Sequence, residues 1–599
     1  MFRETSSHSE GIIVQKFVFC VILLAGFMSA GTVTDLLQAE MDGSTPDQLI
    51  HVLIKPAGRA DLDYINSVAE SMDSDQRREF AVSVMKQFAE SSQQPVIDAL
   101  NGFPAGSVEQ IRTNWIVSVI GCAATPEVIR EIASRDDVEF VALKTFPNIL
   151  VEPVEVREPE RGELVLANAW GVDKINAPDV WALGYEGQGV IVSIVDTGVN
   201  YNHIDLHNQM WHDTDAGYHY GWDFADGDGD PMDSNGHGTH CAGSVGSNGN
   251  AGTVCGVAPQ ATLMAIRVGT TFGDEQDVWD GFEFSVDNGA HVISTSLGWP
   301  QSQNPVRQTW RETEENVLVA GVIHSIAAGN EGGNPGTWGD IRTPGDCPPP
   351  WIHPDQTTSG GLSATVTVGA TDSNDNLASF SSLGYSTWMY DAPWNDYPDT
   401  SPDIGLIDPD ISGPGVDILS CSYSNPAGYT TMSGTSMATP HLAGCMALLV
   451  CVNPNLSVAQ MDSILEVTSV DLGTAGKDNY YGAGRVDIYQ AALSALELTE
   501  AEESTSSAIQ GFGTVLSAVS PNPVVSQASF SLYMPSAGNA EVAVYDVSGR
   551  NVSTVQSGQL ATGSHMFNWT APEEVASGIY IVRATTPSGT SVSRMTLIR

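Results

Sequence analysis

The run Val190-Ile-Val-Ser-Ile-Val195, which leads into Asp196-Thr-Gly198, is apolar at every position but one. A short run of this kind, without polar alternation, is typical of a strand buried on both faces. Four similar runs follow, with helical patterns at 276–289 and 308–319 between them. These runs are Leu263–Val268, Val292–Ser296, Ile323–Ala328 and Thr365–Ala370. Strands and helices in alternation predict an α/β domain, a doubly wound parallel sheet, at 164–498.

Composition and charge narrow the classes of function. The chain has 599 residues, a length typical of about three or four domains. Lys and Arg number 24 against 72 Asp and Glu, so the formal net charge is −48. Because phosphate binding needs clustered cations, this excess of acid argues against nucleic acid as a partner. It also argues against docking on an anionic membrane surface and suits a secreted protein.

The N-terminus has the pattern of an export signal. A polar start with Arg3 and Lys16 precedes the apolar run 17–28, which ends in the small residues 29–31. Residues 1–30 are therefore predicted to be a signal peptide, cleaved near Ala30, that directs the chain through the Sec machinery. The later segments lack the length and apolarity of a bilayer span, so we expect no transmembrane anchor and a secreted or cell-surface protein.

The cysteines are compatible with an oxidising compartment. Six lie within the predicted α/β domain, and an even number in an exported chain permits disulfides whose pairing the sequence leaves open. They are Cys241, Cys255, Cys347, Cys421, Cys445 and Cys451. The chain has no C-x-x-C pair, which argues against a zinc ribbon.

Two further units flank the α/β domain. Residues 48–150 predict a small α+β unit, with strands at 48–56, 115–120 and 138–143 and helices between them. Within the segment 31–163, residues 152–163 are charged and aperiodic and predict an exposed linker. Residues 499–513 are small and polar and predict a second linker. Residues 514–599 alternate with period 2 between turn signals, which predicts a C-terminal β-sandwich.

Three polar residues stand at positions suited to chemistry. Asp196 follows a buried strand, where a carboxylate is costly unless it is paired. His237 lies between glycines in Asn235-Gly-His237-Gly-Thr-His240, so the backbone can approach it closely. Ser436 precedes an apolar stretch that predicts a buried helix, with Pro440 in its first turn. A carboxylate, an imidazole and a hydroxyl are the groups that nucleophilic acyl transfer requires.

A fourth segment, Ile326-Ala-Ala-Gly-Asn330, places an amide at the end of another buried strand. Such an amide can donate a hydrogen bond to the oxyanion of a tetrahedral intermediate. Taken together, the four segments, in the order Asp, His, Asn and Ser, resemble those of the subtilisin-like serine proteases, the subtilase family. The resemblance covers about 170–498.

The resemblance implies a role for each matching residue. Asp196, His237 and Ser436 match the catalytic triad, and Asn330 matches the oxyanion donor. The segment Ser296-Leu297-Gly298 matches the strand that pairs with the substrate backbone, and Ala328-Gly329 matches the opposite wall of the pocket for the residue before the scissile bond. Since neither wall carries a charge, the resemblance implies a preference for apolar or large side chains. The substrates would be proteins or peptides, and no cofactor would be needed for catalysis.

The flanking units also resemble known modules. Residues 48–150 resemble the inhibitory propeptide of subtilases, which assists folding and occupies the active site until cleavage, here expected between Val151 and Val165. The C-terminal unit, with Ser520-Pro-Asn-Pro523 and Val544-Tyr-Asp-Val-Ser-Gly-Arg550, is similar to the sorting domains of type IX secretion cargo. A generic sandwich that binds carbohydrate or protein is the alternative.

Structural calcium is implied by the resemblance alone. Asp205 and Asn250 fall on the side-chain ligand positions of the family's calcium loop. The acidic segment Asp226-Gly-Asp228-Gly-Asp230-Pro-Met-Asp233 has Pro231 where an EF-hand needs glycine, so it is either another calcium loop or a solvated acidic turn.

Three other interpretations of the motifs are open to test. His237 and His240 could bind zinc, but their spacing is wrong for two ligands on one helix face with a glutamate base. An α/β-hydrolase would need its acid and its histidine after Ser436 in the chain, where only His441 and His565 follow. A non-catalytic surface adhesin on a degenerate protease fold is the main rival to a serine endopeptidase.

Overall fold

The computed structural model describes residues 31–69, 72, 74–160, 167–332, 339–354, 356, 360–388, 394–395, 405–498, 515–516, 524, 526–534, 537–546, 550–561, 563–572, 575–576, 578–587, 589–597 and 599. The predicted signal peptide at 1–30 and the predicted linker at 499–513 lie outside these residues.

Strands and helices are numbered along the chain. The strands are β1 Thr32–Val33, β2 Ile50–Pro56, β3 Val108–Asn114, β4 Val119–Ala124, β5 Val138–Leu143, β6 Glu155–Arg157, β7 Ile191–Asp196, β8 His212–Asp213, β9 Tyr218–His219, β10 Gly221–Asp223, β11 Thr262–Arg267, β12 Val292–Thr295, β13 Ile323–Ala327, β14 Thr365–Thr371, β15 Ile411–Pro414, β16 Ile418–Cys421, β17 Tyr429–Ser433, β18 Val515–Leu516, β19 Gln527–Met534, β20 Gly538–Asp546, β21 Asn551–Leu560, β22 Gly563–Thr570, β23 Gly578–Thr586 and β24 Gly589–Leu597. The helices are α1 Asp35–Gly43, α2 Leu62–Ala69, α3 Ser74–Asn101, α4 Pro126–Ala133, α5 Trp170–Lys174, α6 Ala177–Ala182, α7 His237–Gly246, α8 Glu275–Asp287, α9 Arg307–Val319, α10 Thr435–Val452 and α11 Val458–Val467.

The central domain is built on a parallel sheet of seven strands in the order β10-β11-β7-β12-β13-β14-β15. All five strands predicted from apolar runs lie in it. Successive residues of β7 point to opposite faces: Ile194 packs in the core that contains α7 and α10, and Val195 packs in the core that contains α8 and α9. This two-sided burial explains the continuous apolar runs and confirms the doubly wound α/β fold.

The unit before this domain is α+β. Its sheet has the order β1-β5-β2-β4-β3, and α1, α3 and α4 pack against it. Of the strand predicted at 115–120, residues 119 and 120 lie in β4 and the rest is wrong, because residues 115–118 form the turn between β3 and β4 and Ser118 has a φ of 48°. Ile116 and Val117 are buried instead in the core shared with α8 and α9 of the central domain. Their apolarity reflects contact between domains rather than strand alternation.

The predicted linker at 152–163 is partly ordered. Its residues Glu155–Arg157 form β6, which pairs antiparallel with β17 of the central domain, and residues 161–166 lie outside the described part. The side chains at 155 and 156 are exposed, so the strand is held by its main-chain hydrogen bonds and by the ion pair of Arg157 with Asp417 at 3.0 Å. A charged sequence can therefore add to a sheet edge without any apolar signal.

The C-terminal unit has two sheets, β18-β19-β22 and β21-β20-β23-β24. Alternate residues of their strands, such as Phe530, Leu532, Val542 and Val544, share one buried core. This is the predicted β-sandwich. In the described part of the chain, one helix, α10, has the length and apolarity of a membrane span, and most of it is buried inside the central domain.

Candidate active site

Asp196 and His237 form a buried pair at the carboxyl edge of the central sheet. Asp196 ends β7 and His237 begins α7, and each is 1% exposed. The imidazole Nδ1 donates to Asp196 Oδ1 at 2.8 Å, and the Thr197 amide donates to the same oxygen at 2.7 Å. Burial by itself lowers the pKa of His237, but the Asp196 carboxylate more than offsets this, so the pKa lies well above its ordinary value. Asp196 therefore stabilises the imidazolium and fixes the ring.

Asp233, which the sequence analysis treated only as part of an acidic segment, holds the His237 loop in place. Its Oδ1 accepts from Thr197 Oγ1 at 3.0 Å and from the Gly236 amide at 2.9 Å. Its Oδ2 accepts from the amide of Thr239 at 2.9 Å and also from the hydroxyl of that residue. Asp233 thus ties the residue after Asp196 to both sides of His237. The signal for this role is an aspartate shortly before a helix N-terminus.

Ser436 is the second residue of α10 and is fully buried. Its hydroxyl donates to the carbonyl oxygen of Val151, 2.5 Å away, rather than to the imidazole. Within the described residues, Nε2 of His237 has no hydrogen-bond partner. The Ser436 hydroxyl is thus occupied by a segment of the same chain. Cys241 Sγ lies 3.8 Å from His237 Nδ1 and 3.5 Å from Ser436 O, so the two residues flank the same cysteine.

The Asn330 amide is oriented by the start of α10. Its Oδ1 accepts from the Thr435 amide at 2.9 Å and from the Thr435 hydroxyl at 3.0 Å. Its Nδ2 is therefore turned toward the cleft, where it donates to the carbonyl oxygen of Glu152 at 2.8 Å. Thr435 is a second contact that the sequence analysis missed.

The carbonyl of Ser436 has an unusual partner. Pro440 lies in the second turn of α10, not in the first as predicted, and it has no N–H to donate to the carbonyl four residues earlier. Ser296 Oγ donates to that carbonyl at 2.9 Å, and Cys241 Sγ lies 3.5 Å from it. The predicted substrate strand is thereby joined to the helix that carries Ser436.

Residues 148–151 lie extended between two strand edges. On one side, Gly298 N donates to Ile149 O at 2.8 Å and Val151 N donates to Ser296 O at 3.3 Å, so that Leu150 faces Leu297. On the other side, the Ile149 amide donates to Thr271 O at 3.0 Å. The predicted substrate strand is thus paired with the chain's own segment, and Ala328 and Gly329 follow β13 close by.

The neighbouring histidine and cysteines have structural contacts. His240 is fully buried, its Nε2 bonds to Ile418 O at 3.0 Å, and burial lowers its pKa to about 3. His240 thus contacts Ile418, whereas His237 contacts Asp196. These separate contacts do not fit a zinc site shared by the two histidines. The seven cysteines of the described residues are all free, so the six in the central domain form no disulfide here.

The donors around Asp205 do not fit a calcium ion. Asp205 is fully buried, and its Oδ2 accepts from Ser247 Oγ and from the Tyr429 hydroxyl, both at 3.0 Å. Its Oδ1 accepts from the Ala251 amide at 2.5 Å. Hydrogen-bond donors thus stand where a carboxylate ligand would need a cation. Asn250 is exposed, and its Nδ2 donates to Ile204 O at 3.3 Å.

The acidic segment at 226–233 is also explained by contacts within the protein. Asp226 pairs with Arg267 at 2.5 Å, and Asp230 accepts from the Tyr201 hydroxyl at 2.8 Å. Asp228 accepts from the Asp230 amide at 2.9 Å and is exposed. These contacts favour the solvated turn over a second calcium loop.

Comparison with known proteins agrees with this geometry. The subtilase family model matches residues 187–484, and the model of a secretion system C-terminal sorting domain matches residues 518–598. The chain is 33% identical to subtilisin DY of Bacillus licheniformis over 325 residues. The matched region covers 54% of this chain and 98% of subtilisin DY. It is 33% identical over 320 residues to subtilisin Savinase of Lederbergia lenta, covering 53% and 96%.

The similarity reaches beyond the central domain in some relatives. The alkaline protease of Shouchella clausii is 29% identical over 412 residues, which cover 64% of this chain and 92% of that protein. Hydrolysis by subtilisins needs no catalytic cofactor, although structural calcium is typical of the family. This similarity supports the interpretation of the chain as a serine endopeptidase rather than as a non-catalytic surface adhesin. The chain belongs to the subtilase family and is a secreted or cell-surface serine endopeptidase with a C-terminal sorting domain of the type IX secretion system.

Proposed function

We propose that Ser436, His237, Asp196 and Asn330 are the residues that carry out peptide hydrolysis. Ser436 Oγ attacks the scissile carbonyl while His237 Nε2 takes its proton, and Asp196 stabilises the resulting imidazolium. Asn330 Nδ2 donates to the oxyanion, and the imidazolium then protonates the leaving amine. Water, deprotonated by His237, cleaves the acyl-enzyme in the same way and restores Ser436.

The observation that carries this proposal is the position of residues 148–152. Their main chain pairs with Ser296 and Gly298, and the carbonyls of Val151 and Glu152 are bonded to Ser436 Oγ and Asn330 Nδ2. An extended peptide that adds a strand to a sheet edge is a general mode of substrate recognition. The chain's own segment thus has the pose of a bound peptide substrate.

We propose further that residues 31–151 act as an inhibitory propeptide. The Ser436 hydroxyl is engaged by Val151 instead of His237, and the cleft is filled. Ion pairs join the same unit to the central domain, including Lys55 with Glu312 at 2.6 Å and Lys144 with Asp274 at 3.1 Å. Cations of the propeptide facing carboxylates of a strongly acidic enzyme supply attraction and register.

The bond cleaved during maturation is proposed to be Val151–Glu152. Val151 is fully buried, its amide donates to Ser296 O, and its carbonyl accepts from the nucleophile, whereas the side chain of Glu152 is exposed. Asn330 now bonds to Glu152 O, so attack requires a small shift that brings Val151 O to Asn330. Sequencing the mature N-terminus tests this directly: Glu152 is expected as the first residue, and another residue would contradict the proposal.

The catalytic assignment is tested with a serine-reactive phosphonate. The processed protein should be labelled at Ser436, and the Ser436→Ala variant should remain both unlabelled and unprocessed. In Asn330→Ala, the fold should persist while self-processing slows by about 100-fold, because one oxyanion donor is lost. Labelling at another serine, or normal processing in Asn330→Ala, would remove the respective residue from the site.

For the loop around Asp205, we propose that hydrogen bonds take the place of calcium. The support is the set of three donors on Asp205 and the outward position of Asn250. A chelator should therefore leave the melting temperature unchanged, whereas Tyr429→Phe should lower it. A chelator-sensitive melting temperature that Asp205→Asn abolishes would contradict the proposal.

A further inference from the structure

Arg342 lies between the two predicted walls of the pocket for the residue before the scissile bond. Its amide donates to Ala328 O at 3.0 Å. The next residue, Thr343, exchanges two main-chain hydrogen bonds with Trp299, at 2.8 and 2.9 Å. The backbone at 342–343 is thus joined to both walls, so the Arg342 side chain starts from the gap between them.

The aliphatic part of Arg342 closes this gap. A Cβ atom placed on Gly298 would lie 3.0 Å from Cβ of Arg342, and one placed on Gly329 would lie 3.1 Å from its Cγ. The stem is therefore in close contact with one glycine from each wall. A side chain at either position would therefore press on the stem and require it to shift by a few tenths of an ångström.

The guanidinium is held in place by an acid and by main-chain carbonyls. Its Nε and Nη2 donate to Glu331 Oε1 at 3.0 and 2.6 Å, and Ser382 Oγ donates to Glu331 Oε2 at 3.0 Å. Its Nη1 donates to Gly298 O at 3.2 Å and to Leu150 O at 3.1 Å. Leu150 is the second residue before the proposed scissile bond, so Arg342 contacts the bound peptide itself.

We infer that Arg342, fixed by Glu331, determines the specificity of this endopeptidase. Its stem limits the pocket to small aliphatic side chains, and its Nη1 binds the carbonyl of the preceding residue. This inference rests on the proposed function, because it takes Val151 as a substrate residue. Val151, a small aliphatic side chain, is fully buried there. The inference agrees with the apolar part of the expected preference for apolar or large side chains and departs from the large part, which was based on uncharged walls alone.

Two peptides that differ only in Val or Phe before the scissile bond provide the test. The processed wild-type enzyme should cleave the Val peptide with a kcat/KM at least about tenfold higher. Arg342→Gly opens the gap and should shift the ratio toward Phe by at least about tenfold. Arg342→Met keeps the stem and should preserve the ratio while raising KM for both peptides. An unchanged ratio in Arg342→Gly overturns the inference.

A second measurement covers an Arg342→Gly variant that does not fold. In the full chain, Val151→Phe should slow self-processing, and Arg342→Gly should restore it where that double variant folds. Processing of Val151→Phe at the wild-type rate overturns the inference. Phosphonate labelling distinguishes failure of this inference from failure of the proposed function. Labelled enzyme with unchanged selectivity contradicts only the role of Arg342. Wild-type protein that neither labels nor cleaves either peptide contradicts the proposed function as well.

Discussion

At the scale of single residues, the site depends on a side-chain amide that is oriented by a hydrogen bond at its oxygen, so that its NH₂ group can donate into the cleft. Asn330 can offer Nδ2 to the cleft because its Oδ1 is occupied by Thr435. A free amide could rotate and present its oxygen to a developing oxyanion, which would be repulsive. A preorganised donor avoids this reorganisation at the moment of reaction.

Removing the Thr435 hydroxyl should therefore affect rate more than binding. In Thr435→Val, Asn330 Oδ1 keeps only the main-chain donor, and we expect kcat to fall about five- to tenfold with little change in KM. Steady-state kinetics on a peptide substrate measures both. Thr435→Ser, which retains the hydroxyl, is the control and should stay close to wild type. A loss confined to KM would argue against an orienting role.

Ser296 has a structural contact in addition to its proposed pairing with substrate. Its hydroxyl serves the carbonyl of Ser436 that Pro440 leaves without an N–H. Ser296→Ala should cost about 1–3 kcal/mol in the free energy of unfolding, because a buried carbonyl loses its main donor. Urea unfolding in a Ser436→Ala background avoids self-digestion.

A double-mutant cycle identifies the cause of that loss. Pro440→Ala restores an N–H to α10, so the cost of Ser296→Ala should shrink when the two changes are combined. Additive costs would show that the hydroxyl stabilises the protein in some other way.

At the scale of elements, the catalytic loop is held by an acid outside the triad. Asp233 accepts hydrogen bonds from both sides of His237 and from the residue after Asp196. Asp233→Asn replaces one accepting oxygen by an NH₂ group that faces other donors. We expect the melting temperature and kcat both to fall, with about 1–3 kcal/mol lost from stability.

Asp230→Asn is the matched control for Asp233, because Asp230 lies in the same segment but is exposed. It should change neither quantity. Asp233→Asn with wild-type kcat would show that the loop keeps its geometry without this contact.

The elements also show what a single sequence can and cannot predict. The five buried strands were predictable because burial on both faces of a sheet leaves a continuous apolar run. The strand expected at 115–120 failed because Ile116 and Val117 are apolar for a different reason, their burial against α8 and α9. β6 was missed because its pairing with β17 is made by the main chain, and the ion pair of Arg157 with Asp417 adds no apolar pattern to the sequence. Arg342 was missed because it lies outside every motif and meets the walls only in the fold.

At the scale of the whole molecule, the interface between the proposed propeptide and the central domain contains carboxyl groups whose ionisation depends on that contact. Glu283 accepts from the Ile116 amide at 2.9 Å, and Asp277 pairs with Arg112 at 2.9 Å. Burial, with help from Asp280, raises the pKa of Glu283 well above its usual range. Burial and the neighbouring Asp274 raise the pKa of Asp277 to about 7, although Arg112 opposes this. The proposed propeptide contacts both groups, so its release would return them to water.

This coupling predicts that higher pH favours release of the processed propeptide. An acid whose pKa is higher in the complex than in the free enzyme keeps its proton in the complex. The complex is therefore favoured most at pH values below the pKa of the free enzyme's group, near 4. This advantage is lost as the pH rises to the pKa of the group in the complex. For Asp277 this loss is complete once the pH exceeds its pKa of about 7, and the raised pKa of Glu283 adds an effect in the same direction. Each group contributes up to about tenfold per pH unit. The rate at which activity appears in the processed full chain, measured from pH 5 to 8, should therefore rise.

Glu283→Gln isolates one group of this pH dependence. The glutamine still accepts from the Ile116 amide but cannot ionise, so the slope of release rate against pH should become shallower. Asp98→Asn, at an exposed residue of α3 that accepts a hydrogen bond from Gln94 of the same helix, is the control and should keep the wild-type slope. An unchanged slope in Glu283→Gln would assign the pH dependence to other carboxylates. A release rate that falls with rising pH would contradict the argument, since the sign follows from the raised pKa values alone.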